Sequence, residues 1–178
     1  MSGAPRPDGF HTATEHDVVD IVELVQSAYR GESSRQGWTT EADLVDGQRV
    51  DADMVSTAIA GDGVVVLLVG GAELLACCEL RPLDDGAAYL GMFAVRPGHQ
   101  GGGIGRRVIA HATSVARDWG ADRIRLTVIE QRAELIDWYK RLGYEPTGET
   151  EPFPDDDERF GRPLRDDLRF VVLEHRLG

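Results

Sequence analysis

The residues best suited to chemistry stand between positions 95 and 106: Val95-Arg96-Pro97-Gly98-His99-Gln100-Gly101-Gly102-Gly103-Ile104-Gly105-Arg106. Four of the six positions 100–105 are glycine, and apolar residues at helical spacing follow them. A glycine-rich loop feeding a helix N-terminus is an anion cradle. Its unpaired N–H groups point outward and the helix dipole adds about half a positive charge. The missing side chains let a bulky phosphate reach the backbone. Two phosphate motifs fail on spacing. The dinucleotide fingerprint G-x-G-x-x-G would need glycine at Arg106 or Val108, and the P-loop would need Lys-Ser/Thr at Ile104-Gly105. What fits is a pyrophosphate-binding pattern, Q/R-x-x-G-x-G/A, as Gln100-x-x-Gly103-x-Gly105.

Periodicity supplies the elements that must position this loop. Phe10 to Ala13 suits a short strand. Thr14, with Asp17 three residues on, reads as the cap of a helix carried by Val18, Ile21, Val22, Val25, Ala28 and Tyr29. A polar stretch from Gly31 to Val50, containing Trp38, leads to a weaker helix marked by Met54, Val55, Ala58 and Ile59. Strands are predicted at 64–69, 74–83 and 87–95, the last two joined by an Asp84-Asp85-Gly86 turn. Arg96-Pro97 closes the third of them. Ile104, Val108, Ala112, Val115, Ala116 and Trp119 form one helical stripe ended at Gly120. A strand at 123–129 follows, then a short helix over Leu135, Trp138, Tyr139 and Leu142, and strands near 144–150 and 168–176. The expectation is one α/β domain, 10–178, with about seven strands and four helices, behind a disordered Pro/Gly-rich tail at 1–9.

Composition narrows the function. The 178 residues suit a single domain, and 31 acids against 19 bases give a net charge of −12, which disfavours nucleic-acid binding. Cys77 and Cys78 are adjacent and would point to opposite strand faces, so no disulfide or metal site is expected. The five histidines lack metal-ligand spacing. The N-terminus has no apolar signal region, and the longest apolar run, Val64 to Val69, is too short for a membrane span. A cytoplasmic protein without membrane, nucleic-acid or metal partners is expected; a homodimer is left open.

Two segments in the right order resemble the GCN5-related N-acetyltransferase (GNAT) superfamily. Phe93-Ala94-Val95-Arg96-Pro97 and the glycine loop look like its fourth strand and cofactor loop. Trp138-Tyr139-Lys140-Arg141-Leu142-Gly143-Tyr144 is similar to its helix ending in a tyrosine, then glycine and an aromatic. One helix and one strand separate them, and the likeness covers roughly 74–150. It implies a mixed, twisted sheet splayed between strands four and five, with acetyl-CoA as co-substrate. By that resemblance the backbone of Phe93, Ala94 and Val95 pairs with the pantetheine amides. Gly101, Gly102, Gly103, Ile104, Gly105 and Arg106 hold the pyrophosphate, with Gln100 also among the cofactor-binding residues.

A thioester is already activated, so an acyltransferase must supply a neutral amine, position, oxyanion stabilisation and a proton for the leaving thiol. A lysine-like amine with pKa about 10.4 is neutral in roughly one molecule in two thousand at pH 7. The resemblance assigns the proton donor to Tyr139. The family's frequent asparagine is replaced by Arg132 and its glutamate base by Thr127. Glu79, on the neighbouring strand, is the remaining candidate base, with Glu130 and Glu73 behind it. Trp138, about 100° round the helix from Tyr139, suits packing or a cofactor-edge contact. His99 is a candidate phosphate-edge contact. The expected activity is acetyl transfer to a primary amine of a small molecule through a ternary complex. A peptide or protein amine, or a non-catalytic acyl-CoA sensor, are the alternatives. The acidic run Asp155-Asp156-Asp157-Glu158 is expected either to be a solvated loop tip or to steer a cationic acceptor.

Overall fold

Asp17 sets the first turn of the chain: its carboxylate accepts the Thr14 N–H at 2.8 Å, the pairing that the Thr14/Asp17 spacing predicts. The computed structural model describes residues 8–178, apart from the side chains of Leu67 and Val69. In chain order the elements are β1 (Gly9–Thr12), α1 (Val18–Tyr29), α2 (Gly31–Ser34), β2 (Val45–Asp46), α3 (Ala52–Ala60), β3 (Val64–Gly70), β4 (Glu73–Pro82) and β5 (Ala87–Val95). There follow α4 (Ile104–Asp118), β6 (Arg123–Ile129), α5 (Ala133–Arg141), β7 (Glu145–Pro152), β8 (Arg162–Pro163) and β9 (Arg169–Arg176).

Seven strands form one mixed sheet in the order β1-β3-β4-β5-β6-β9-β7, with β5–β6 its parallel pair. One face packs against α4 and α5 through Cys78, Leu80, Leu90, Ile124 and Leu126. The other packs against α1 and α3 through Val65, Leu74, Cys77 and Ala94. The two cysteines thus enter opposite cores, as alternation on a strand requires. Both stay as buried thiols.

The departure that matters for function lies in β5. Its parallel pairing to β6 covers Ala87, Ala88 and Tyr89 and then stops, although both strands continue. On the other side, Cys77 faces Ala94 and Glu79 faces Gly91, so Cys78 opposes both Met92 and Phe93. That extra residue is a β-bulge, which bends the bulged strand and re-aims it. Met92 takes a positive φ of 47°, the only non-glycine to do so among the described residues. The bulge swings the end of β5 away from β6, and a wedge opens between strands four and five of the sequence-based count.

Two details differ from expectation. Gly9 already belongs to β1, so the tail expected at 1–9 is cut short at its C-terminal end, and its residues 1–7 lie outside the described residues. The polar stretch 31–50 holds α2 and β2, the latter paired with β8 through Val45↔Pro163 and Asp46↔Arg162. Strands of two residues carry no periodicity to read.

Candidate active site

The wedge between β5 and β6 opens onto the N-terminus of α4. Gly103 caps that helix in the left-handed conformation, φ 85°, and Gly101 has the same φ. A Cβ built at Gly101 or Gly103 meets nothing within 4 Å, so both backbones face open space. Gly105 is glycine for another reason. A Cβ there would stand 3.2 Å from the Trp138 ring and 3.4 Å from Phe93, so it is what lets α4 lie against those rings. A cavity of about 560 Å³ joins these parts. Phe93 and Val95 line it from β5; Gly101, Gly103, Gly105 and Arg106 from the loop and α4; Leu135, Trp138 and Arg141 from α5. Tyr29, Trp38 and Thr39 complete it from the α1 end.

These residues fit a long thioester carrying phosphates. The glycine backbones are open where N–H groups at a helix start favour an anion. Arg106 and Arg141 flank them and make no ion pair among the described residues. The edge of β5 beyond Tyr89 lies free of β6, as an added strand of amides requires. Arg141 was not among the expected cofactor residues. Its signal was present in the sequence, since it lies three residues after Trp138 on the same helical face.

Two carbonyls of the β5 edge already accept hydrogen bonds from side chains. The Tyr29 hydroxyl donates to Phe93 O. The Gln100 Nε2 donates to Val95 O at 3.0 Å. The Tyr29 partner was not legible from spacing, because Tyr29 and Phe93 are 64 positions apart. Ala94 pairs with Cys77 in the sheet. Gly102 and Ile104 are not lining residues; Ile104 packs against the α4–α5 core.

Tyr139 lies one layer behind the wall, 5% exposed, with its ring edge-on to Trp138 at 5.0 Å and to Tyr144 at 5.5 Å. Trp138, not Tyr139, faces the cleft, which is the 100° offset of neighbouring helix positions. Burial holds the Tyr139 hydroxyl well above its ordinary pKa, helped by Tyr29, Tyr144 and Cys78 and opposed by Arg132. Burial, then Glu41, pushes Tyr29 up to about 12. Burial raises Tyr144, Cys77 and Cys78 as well, Cys78 to about 12.

These shifts carry a stability prediction. A group with a raised folded pKa stabilises the fold below its unfolded value, about 10 for tyrosine and 8.5 for cysteine, and that stability drains as pH climbs toward the folded value. The protein should therefore hold Tyr29, Tyr139 and Tyr144 protonated past pH 10. Their ultraviolet tyrosinate signal should then appear together with the loss of helical circular dichroism, between about pH 10 and 12. Independent, gradual ionisation of these three with unchanged dichroism would contradict it.

The candidate bases are dispersed. Glu79 lines a separate depression with Asp53, Asp62, Arg81 and Arg159, outside the cleft. Burial raises its carboxyl, opposed by Arg81 at 3.8 Å. Glu73 pairs with Arg96 at 3.2 Å and sits 3.4 Å from His99, which ties down the expected phosphate-edge histidine as well. Glu130 is held by Arg169 at 2.7 Å, and that hydrogen bond lowers its pKa. Arg132 is buried with Glu41 and Arg30: its Nη1 donates to Glu41 at 3.2 Å and Arg30 holds the other carboxylate oxygen. Sequence reading missed this triad entirely. The acidic run does not reach the cleft. Asp157 accepts from the Arg159 N–H and pairs with its guanidinium at 2.6 Å, and Asp155 lines a small depression with Arg165 and Asp166.

Comparison with known proteins agrees with this geometry. The model of the acetyltransferase (GNAT) family matches residues 19–144. A streptothricin acetyltransferase of Streptomyces lavendulae is 44% identical over 50 residues, 28% of this chain and 26% of that protein. A thialysine N-epsilon-acetyltransferase of Bos taurus is 36% identical over 63 residues, 35% of this chain and 37% of that protein. The chain thus spans only about a quarter to a third of these curated relatives' length. The solved ribosomal-protein-S18-alanine N-acetyltransferase of Escherichia coli superposes over 98% of this chain and 95% of its own, with a TM-score of 0.69 at 14% identity, a likeness of fold. No helix among the described residues is long and apolar enough to cross a membrane, and no cluster of them has the donors to hold a metal ion.

Proposed function

The chain belongs to the acetyltransferase (GNAT) family, and from that premise we propose that it transfers an acetyl group from acetyl-CoA to a primary amine of a small molecule, both bound at once. One observation carries this reading. The free edge of β5 and the open glycine start of α4 meet in a single cleft. An amide-bearing arm and a pyrophosphate need those two surfaces side by side.

The bound thioester supplies an acyl group already activated for attack. The remaining tasks fall to the chain. Gly101, Gly103 and the first turn of α4 present N–H groups and a positive dipole end to the phosphates. Arg106 and Arg141 add charge-assisted contacts. Trp138, stacked on Phe93 with centroids 6.0 Å apart, walls the arm and excludes water. Tyr139, one layer behind Trp138, is the proposed proton donor to the leaving thiolate, and burial keeps the proton on its oxygen until then. The acidic side chains lining the cleft are Glu134 and Asp137, exposed on α5. Among the described residues no buried carboxylate lines it, and water is the proposed carrier of the amine's proton. The relatives' names, streptothricin acetyltransferase and thialysine N-epsilon-acetyltransferase, support a small-molecule amine acceptor over a protein one.

The donor half is tested by Arg106→Ala combined with Arg141→Ala. Two lost charge-assisted contacts should raise the acetyl-CoA KM about tenfold or more at low salt and less at high salt, where exposed charges are screened. S-acetylpantetheine, which lacks the phosphates, should show no change. The acceptor half is tested with isotopically labelled acetyl-CoA and a panel of primary amines. A labelled amide supports the reading; label retained on CoA with every amine overturns it.

A further inference from the structure

The motif glutamine makes contacts that a phosphate ligand would not. Gln100 Oε1 accepts the Trp38 N–H at 2.9 Å, while Nε2 donates to Thr39 Oγ1 at 2.8 Å and to Val95 O at 3.0 Å. A carboxamide has two N–H donors, and both are used. The orientation is fixed by its partners: turning the amide over would set N–H against N–H at Trp38 and O against O at Val95. Thr39 Oγ1 passes the connection on to Ala28 O of α1 at 3.0 Å. Gly37 makes room for it, since a Cβ there would stand 2.4 Å from Gln100 Oε1.

The strap held this way carries Trp38 to the rim of the cleft. Its ring meets Trp138 at 6.0 Å, tilted, and Trp138 in turn stacks on Phe93. Trp38 is 38% exposed, so burial alone does not fix it there. We propose that Gln100 is a positioning residue, which fastens the 37–39 strap to the exit of β5 and so holds Trp38 as a wall of the channel for the donor's pantetheine arm. The signature position then works through an indole that lies 62 residues away, without touching phosphate. The inference rests on the cleft being the acetyl-CoA site.

The experiment compares acetyl-CoA with S-acetylpantetheine as donors, in wild type, Gln100→Leu, Trp38→Ala, the double variant and Gly37→Ala. Wild type should use both donors; if it uses neither, the functional reading fails and not this inference. Gln100→Leu should raise KM for both donors by the same factor, about tenfold, with kcat changed little. Trp38→Ala should match it, and the double variant should be no worse than either single, the mark of residues acting as one unit. Gly37→Ala keeps the motif intact and wedges the strap open, so it should raise both KM values too. With the clasp lost, Trp38 emission in the ligand-free protein should shift toward that of a solvated indole. A KM rise confined to acetyl-CoA would make Gln100 a direct phosphate ligand and overturn the proposal. Additive losses in the double variant, or unchanged KM in Gln100→Leu, would overturn it as well.

Discussion

Gly103→Val should abolish acetyl-CoA binding measurable by calorimetry, a loss of about a hundredfold or more, because it disorders the helix start that receives the phosphates. Gly103 sits at φ 85°, which a β-branched residue adopts only at a cost of about 1–3 kcal/mol. The backbone will turn to relieve that strain and carry its N–H away from the cleft. The new methyl groups would also stand in space that is now open. The fold should survive, since nothing in the core touches this position; a melting point lowered by only a few degrees checks that. Gly102→Ala is the comparison. Gly102 has no positive φ and does not line the cleft, so acetyl-CoA should bind it nearly as well as wild type. Wild-type affinity in Gly103→Val would remove the glycine cradle from the account.

Tyr139→Phe should lower kcat by roughly ten- to a thousandfold, near or below the usual range for general acid catalysis, with acetyl-CoA affinity intact. The ring stays between Trp138 and Tyr144, so packing is preserved and only the proton donor goes. Tyr29→Phe is the informative neighbour. Tyr29 lines the cleft, but its hydroxyl proton is committed to Phe93 O. Its loss should slacken the β5 edge and raise the donor KM more than it lowers kcat. The reverse pattern, full turnover in Tyr139→Phe and a collapsed kcat in Tyr29→Phe, would move the acid role to Tyr29 and return Tyr139 to the core.

The frame of the molecule was readable because its long elements repeat. The α4 stripe, the β4–β5 hairpin and the Thr14/Asp17 cap each carry a signal within a few residues. The glycine loop was readable for the same reason, and the structure sets Gly101, Gly103 and Gly105 along the cleft. What could not be read depends on chain segments that meet only after folding. Tyr29 on Phe93, Gln100 on the Trp38 strap, and Arg132 with Glu41 and Arg30 join positions far apart in the chain, and no local pattern encodes them. The bulge at Met92 that opens the wedge is likewise a register event between two strands. Pairing within the acidic run was not legible either. Arg159 pairs with Asp157, and a charge count along the chain does not show that pairing.

The central claim is that the cleft joins an acetyl donor to an amine, and appearance of the CoA thiol tests it most directly. A thiol-reactive chromophore follows that release without interference from the protein, because Cys77 and Cys78 are both buried and burial keeps their thiols protonated. With acetyl-CoA and a lysine-like amine, thiol should appear at a rate that saturates in both substrates and rises with pH as more of the amine becomes neutral. Thiol release no faster than hydrolysis without protein, across a panel of amines and with acetyl-CoA shown to be bound, would contradict the account and leave a protein that holds the donor without using it.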